Sequence, residues 1–322
     1  VNSGKATYPC EMHAHTNHSD GNDTPYEFVR NAVRRDLKVV VISDHDVIAP
    51  SEVLKPDGTT EEICACAAAR GLCLLRGIEF SCETQVEDVH IVGLGCDWNN
   101  AAILAEVAAV SGSKAESYAE TIRRLDERGY RITLDEVLSS GPERIELRDL
   151  QKKRIFDLLA KKGYFPDWSA AKLFVREDPY FGVKRKKPDA LKVIRLLHDA
   201  GGIAILAHPY LIDEQVESGG ETMPRWTFID RLIAGGLDGI EIRYTYDKTT
   251  CRDKRPREEI WADVERHVHG RIFYSGGSDY HGDYKKGIQN PRELGECGLT
   301  WEEFCSVPAF VELYRKSPVC QK

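Results

Sequence analysis

The stretch Lys38-Val39-Val40-Val41-Ile42-Ser43-Asp44-His45-Asp46 decides the fold. Four consecutive β-branched apolar residues with no polar alternation read as a parallel strand buried on both faces. The run ends in Ser-Asp-His-Asp, so polar and metal-binding side chain types gather at the C-terminal end of that strand. Upstream, Thr24-Pro25-Tyr26-Glu27-Phe28 supplies a cap residue and a proline at the first helical position, with Phe28, Val29, Ala32 and Val33 as the apolar face. Downstream, a helix from Glu61 to Arg70 closes at Gly71 and leads into the strand-like run Leu72 to Phe80, followed by Val89 to Leu94. The alternation resumes with helix Pro188 to Ala200, strand Gly202 to Pro209, helix Arg225 to Ala234, strand Gly239 to Ile242, helix Pro256 to His267, strand Arg271 to Gly282 and helix Trp301 to Arg315. With a first strand at residues 6–11, seven strands separated by helices predict an α/β fold, a distorted (β/α)7 barrel one unit short of the usual eight.

Between these halves the rhythm is helical only, with patterns at Ala101 to Val110, Ala115 to Arg128, Leu147 to Lys162 and Ser169 to Val175. The expected organisation is a catalytic barrel over 1–97 and 188–322 with a helical insertion, a cap domain, at 98–187.

Composition narrows the function classes. At 322 residues, 42% hydrophobic and 30% charged, the chain can bury a full core, and no apolar run approaches the ~18 residues of a membrane span. Membrane contact is not expected. The first residues, Val1 to Lys5, carry neither an apolar segment nor an initiator Met, so secretion is not expected and the numbering is expected to begin inside a longer or processed chain. The ten cysteines form no CxxC pair, which argues against a thiolate zinc site and for buried free thiols in a reducing cytoplasm. A net charge of −8 disfavours binding to long nucleic acid. Glu143 to Lys187 nevertheless holds thirteen Lys or Arg against seven Asp or Glu, a local basic surface suited to a small anionic ligand. No obligate protein partner is evident.

The chemistry concentrates where the strands end. In Met12-His13-Ala14-His15-Thr16-Asn17-His18-Ser19-Asp20-Gly21, a strand would put His13 and His15 on one face, with Cβ atoms about 6.5–7 Å apart, and Asp20-Gly21 marks a turn whose carboxylate can reach back. His-x-His alone is as often a surface loop. Of the ten histidines, however, His13, His15, His45, His90, His208 and His281 fall in strand-end contexts, accompanied by Asp20, Glu79 and Asp279. For any one of them a capping or core role is the better expectation; for nine together, metal binding is. His18 reads as a neighbouring or substrate contact. Asp44 and Asp46 could each orient an imidazole. Arg243 is either a phosphate contact or the ion-pair partner of Glu241.

The motifs His13-Ala14-His15, Ser19-Asp20-Gly21, Ser43-Asp44-His45, Gly77-Ile78-Glu79-Phe80-Ser81, Val89-His90-Ile91-Val92-Gly93, Ala207-His208-Pro209 and Gly277-Ser278-Asp279-Tyr280-His281 resemble the polymerase and histidinol phosphatase (PHP) superfamily of metal-dependent phosphoesterases. The resemblance implies two to three divalent transition-metal ions, Mn, Fe or Zn. His13, His15, Glu79 and Asp279 would hold one, Glu79, His90 and His208 a second, and Asp20, His45 and His281 a third. It further implies that Glu79, His208 and Asp279 serve catalysis, with a hydroxide bridging two ions attacking a phosphate monoester. The insertion resembles that of the branch acting on nucleotides, nucleoside bisphosphates or short oligonucleotides. Where that branch has an Arg-Pro-His-like segment this chain has Lys152-Lys153-Arg154, and near the position of an upstream arginine it has Ser117 and Glu120. Arg154, Arg185, Arg148 and Lys152 are the alternative phosphate contacts, or else a solvated helix face. The expected substrate is a small phosphorylated molecule, a nucleotide or nucleoside bisphosphate. Histidinol phosphate, short oligonucleotides and a non-catalytic interaction role are the alternatives.

Overall fold

The computed structural model describes residues 4–320 other than Pro142, Arg148 and Asp149. The chain divides into two compact units, residues 1–104 with 188–322, and residues 105–187.

The first unit is built on a seven-stranded sheet. Its strands are β1 (Cys10–Glu11), β2 (Val39–Ile42), β3 (Cys73–Ser81), β4 (His90–Leu94), β5 (Ile203–Leu206), β6 (Gly239–Arg243) and β7 (Phe273–Gly276), neighbours in that order. The sheet curls until its first and last strands nearly meet. Beyond the formal strand ends, Ala14 pairs in parallel with Tyr280, the His15 amide donates to the Tyr280 carbonyl at 2.8 Å, and the Asp279 amide donates to the His13 carbonyl at 3.0 Å. The distorted seven-stranded barrel is therefore present, almost closed at the end that carries the histidines.

Strand β2 shows why the fold forms. Val40 and Ile42 pack with Phe28, Ile63, Leu74 and Tyr280 on one side, whereas Val39 and Val41 pack with Met12, Leu75, Ile205, Phe304 and Phe310 on the other. Alternate side chains enter opposite layers, so an unbroken apolar run is required. The helix Pro25–Arg34 starts as its sequence implies, with Thr24 and Glu27 capping each other's backbone amides.

One strand departs from uniform βα alternation. β4 runs antiparallel to both β3 and β5. The connection at residues 82–89 is shorter than the dozen or so residues a parallel crossover needs, so the chain must turn back. Reversal brings the start of β4, rather than its finish, to the functional end: Ser81 stands opposite His90. Two short hairpins, Glu52–Leu54 with Thr60–Glu62 and Gln215–Ser218 with Glu221–Pro224, decorate the connections, turning at Asp57-Gly58 and Gly219-Gly220.

In the second unit the two expected helices before residue 128 are one, Ala101–Leu125. Ser111-Gly112-Ser113 does not break it, since one glycine costs a helix only ~1 kcal/mol. Helices Leu134–Leu138, Lys152–Lys161 and Trp168–Glu177 complete the unit around Ile122, Leu125, Ile155, Phe156, Leu159 and Phe181. Among the described residues it contains no strand, and no helix of the described residues is long and apolar enough to cross a membrane.

Candidate metal centre

The nine expected ligands sit at the same end of the barrel, delivered by six stretches of chain: His13, His15 and Asp20 from one, Asp279 and His281 from another, and His45, Glu79, His90 and His208 from one each. Glu79, fully buried near the end of β3, is the hub. One of its oxygens, Oε1, lies 3.2 Å from His13 Nε2, 3.0 Å from His90 Nδ1 and 3.2 Å from His208 Nε2. The other, Oε2, lies 3.3 Å from His15 Nε2 and 2.9 Å from His45 Nδ1. Asp279 Oδ1 is 2.9 Å from His15 Nε2 and 3.4 Å from His281 Nδ1, and Asp20 Oδ1 is 3.1 Å from His281 Nε2. Three groups of side chains are close enough to share an ion: His15, Asp20, His45 and His281; His13, His15 and Asp279; and His45, Glu79 and His90.

Whether such a cage fits a cation is tested by its hydrogen bonding. Buried polar atoms nearly always have partners. Among the described residues six buried side-chain atoms have none, and five belong to this cage: His15 Nδ1, His45 Nδ1, Glu79 Oε2, His208 Nδ1 and Asp279 Oδ1. Leaving them bare would cost desolvation with no return. Mixed imidazole and carboxylate donors suit a divalent transition metal, so the residues present fit the group.

The electrostatics agree. Burial pushes the Glu79 carboxyl up, but His45, His13 and His90 outweigh it and hold the group well below the usual carboxylate range. Asp279 is likewise held low, by His281, Arg292 and His13 against burial. Burial, with His281 and His45 nearby, drives His15 down to about 3, so this imidazole stays neutral. His45 is raised to about 10, because Glu79 and Asp20 overcome the effect of burial, and His13 is raised for the same kind of reason by Glu79, Glu241 and Asp279. Without a cation, protons on His13 and His45 balance the carboxylates; His13 Nε2 and His15 Nε2 are 3.1 Å apart, a contact that needs a proton or a cation between two lone pairs.

The surrounding residues hold this geometry. Asp44 accepts hydrogen bonds from the Thr16 amide, Thr16 Oγ1 and Ser19 Oγ, all at 2.7–2.8 Å, fastening the loop that carries His15 and Asp20. Asp46 accepts from the Ser81 amide and hydroxyl. Asp44 thus secures a loop and Asp46 the end of β3, and the charge of Asp46 also helps to raise His45. Gly277 lets β7 approach β1: a Cβ there would fall 2.4 Å from His13 Cβ. Three supporting residues escaped sequence reasoning. Tyr244 Oη and Arg292 Nη1 both donate to Asp279 Oδ2 at 2.7 Å, and Glu241 faces His13 at 2.9 Å. A carboxylate inside the apolar run Gly239 to Ile242 was a signal for Glu241. Arg292 lies in a loop with no pattern to mark it.

Several of the candidate phosphate contacts have partners of their own. Arg243 pairs with Glu303 at 2.6 and 2.8 Å and not with Glu241. His18 is exposed. In the second unit, Arg154 donates from Nε to Ser140 Oγ and from Nη2 to the carbonyls of Leu138 and Glu143. Lys152 opens the helix Lys152–Lys161, Arg185 is half-buried beyond the last helix of the unit, and Arg148 lies outside the described residues.

A nearly closed β/α barrel with an imidazole and carboxylate cage at its strand ends defines a metal-dependent hydrolase. The model of the PHP domain matches residues 11–163, a little under half of the chain, and bears out the expected resemblance to the PHP metal-dependent phosphoesterases. Among curated proteins it is similar to a phosphoribosyl 1,2-cyclic phosphate 1,2-diphosphodiesterase of Eggerthella lenta (27% identity over 283 residues, 85% of this chain and 94% of the relative). It is similar to a 5'-3' exoribonuclease of Haemophilus influenzae (27% over 276 residues, 85% and 90%) and to a 3',5'-nucleoside bisphosphate phosphatase of Chromobacterium violaceum (26% over 300 residues, 91% and 95%). In fold it resembles a Bifidobacterium adolescentis protein whose structure was described as that of a metal-dependent phosphoesterase, with a TM-score of 0.66 and 24% identity over 95% of this chain and 97% of that one.

Proposed function

We propose that the protein removes a phosphate group from a nucleotide or nucleoside bisphosphate, using two to three divalent ions. The observation that carries the reading is the convergence of five imidazoles on the two oxygens of Glu79, with unpartnered lone pairs among them. We keep the ligand sets expected from sequence: His13, His15, Glu79 and Asp279; Glu79, His90 and His208; and Asp20, His45 and His281. The groups whose atoms lie close enough to share an ion differ in leaving Glu79 out of the first set, in adding His15 to the third and in placing His45, not His208, with Glu79 and His90. When bound, the ions supply a water acidic enough to attack at neutral pH and positive charge for the phosphate oxygens.

The protein's own contribution is positional. Glu79 presents Oε1 to His13, His90 and His208 and Oε2 to His15 and His45, so its charge would offset the repulsion between cations held by these imidazoles. Asp279 keeps Oδ1 directed into the cage, because Tyr244 and Arg292 hold Oδ2. His15 remains a neutral donor, and the loop tied down by Asp44 keeps Asp20 at the open edge, where its side chain is half exposed. That edge is the natural approach for a small phosphate ester.

Support for the substrate comes from the C. violaceum relative, which matches the largest share of the chain of the three, and from the basic run Glu143 to Lys187. A second reading, stepwise cleavage of short oligonucleotides, is favoured by the H. influenzae relative. Phosphate release measured over 3',5'-nucleoside bisphosphates, short 5'-phosphorylated oligoribonucleotides, a cyclic sugar phosphate and histidinol phosphate tests both. The bisphosphates should be turned over with the highest kcat/KM; preference for an oligonucleotide would favour the second reading.

A further inference from the structure

We propose that Glu241 is a positioning residue that couples two of the ligand sets, by fixing which ring nitrogen of His13 carries the proton and by holding the backbone of His208. The proposal rests on the metal-dependent reading above. Glu241 lies on β6, 1% exposed, and both of its oxygens are used. Oε1 is 2.9 Å from His13 Nδ1, and Oε2 accepts the His208 backbone N–H at 2.7 Å.

Each contact has a chemical consequence. An ionised carboxylate only accepts, so Nδ1 of His13 must carry a hydrogen and donate it. The lone pair of the neutral ring is then on Nε2, the atom 3.2 Å from Glu79 Oε1 and 3.6 Å from Asp279 Oδ1. A partner on the far nitrogen of a ligating histidine sets its tautomer and direction in this way. The second contact concerns strain. His208 has φ 29° and ψ 59°, a backbone conformation that non-glycine residues seldom adopt and that the surroundings must enforce. The bond from its amide to Glu241 fixes the peptide at this bend, where the imidazole is turned to Glu79 Oε1 at 3.2 Å.

Both partners of Glu241 are therefore donors, and only a side chain with two acceptors serves both. Glutamine has nearly the same shape but one acceptor and one donor. With its NH₂ toward His13 it would demand a lone pair on Nδ1 and drive the hydrogen to Nε2, the atom that faces the cage. With its NH₂ toward His208 it would oppose two N–H groups.

The test compares the wild-type protein with Glu241→Gln and Glu241→Asp after chelation, titrating each with Co²⁺ and recording the number of ions bound, their affinity and the visible absorption spectrum. Expected for Glu241→Gln are a metal-free melting temperature within a few degrees of wild type, Co²⁺ affinity weakened by about 10–100-fold, and an altered spectrum. Glu241→Asp, which keeps two acceptors, should recover part of the affinity. Wild-type affinity and spectrum in Glu241→Gln would overturn the proposal while leaving the metal centre standing, as would a glutamine variant that binds as well as the aspartate variant or better. Failure of Glu241→Gln to fold would also overturn it, by assigning Glu241 to the fold. If the wild type binds no Co²⁺, the metal-dependent reading falls, and this proposal with it.

Discussion

Tyr244 donates its phenolic hydrogen to Asp279 Oδ2 at 2.7 Å, while Asp279 Oδ1, the other oxygen of the same carboxylate, faces the cage imidazoles His15 and His281 at 2.9 and 3.4 Å. The ring is fully buried, and Arg292 Nη1 shares the same acceptor at 2.7 Å. One side of the carboxylate is therefore held by the fold while the other is left for a ligand.

Tyr244→Phe should separate those two roles. It removes one hydrogen bond to an ionised group, worth about 1.5–3 kcal/mol, while Arg292 stays in place. We expect urea denaturation of the metal-free protein to show a loss of that size, and metal-loaded kcat to fall with little change in KM. Wild-type stability would mean that Arg292 alone orients Asp279.

Loading the centre should release protons. In the metal-free protein His45 is raised to about 10, the carboxylates of Glu79 and Asp20 prevailing over burial. A ligating imidazole must be neutral, so between about pH 7 and 10 a cation competes with the proton on His45, and apparent affinity should rise with pH across that window. The same raised value means that, without metal, the protonated His45 contributes stability below its unfolded value of 6.5 that is lost as pH rises through 10. Calorimetric titrations of Mn²⁺ at pH 8 in buffers of different ionisation enthalpy should detect about one proton or more released. Buffer-independent heats would show that the imidazoles are already neutral.

His208→Ala should abolish turnover without unfolding the chain. His208 follows an apolar strand that is held by its own packing, and the polar contact of its ring is to Glu79 inside the cage, so the strand does not depend on it. The expected result is loss of one ion per chain by elemental analysis, with the metal-free melting temperature close to wild type. Full metal content with full rate would remove His208 from the centre.

Arg154→Ala tests the basic insertion. The guanidinium bonds the Leu138 and Glu143 carbonyls and Ser140 Oγ, and a Cβ on Gly141 would fall 2.6 Å from its Nη2, so chain and side chain are closely fitted. We expect a loss of about 0.5–1.5 kcal/mol in the stability of residues 105–187, from lost hydrogen bonds to exposed and half-buried acceptors, and kcat/KM within twofold of wild type. A tenfold fall in kcat/KM at unchanged stability would restore Arg154 as a phosphate contact.

The barrel was readable because buried parallel strands leave an unmistakable mark: Val39 to Ile42 must be apolar at every position, and the ligands follow such runs directly. The reversal of β4 was less visible, since direction is set by the length of residues 82–89 and not by the composition of the strand. At the candidate centre the nine donor residues stand in short local motifs at strand ends, so their positions and the resemblance of those motifs to the PHP superfamily together exposed them. Their supports were hidden for a physical reason. Tyr244 and Arg292 reach Asp279 from separate segments, 35 and 13 residues away in sequence, and no periodicity links the three. Arg243 failed as a partner for Glu241 because the pairing of β6 with β7 shifts register between the two residues, and Arg243 pairs with Glu303 instead.

The central claim, that the cage around Glu79 holds the ions on which phosphoester hydrolysis depends, is tested most directly by following phosphate release from a 3',5'-nucleoside bisphosphate during reconstitution. Chelated protein should be inactive, and turnover should rise with added Mn²⁺ until the cage is filled at two to three ions per chain, with Glu79→Gln inactive throughout. Ions bound at that stoichiometry with no phosphate released from this or any other phosphate ester would contradict it, as would full activity in the chelated protein.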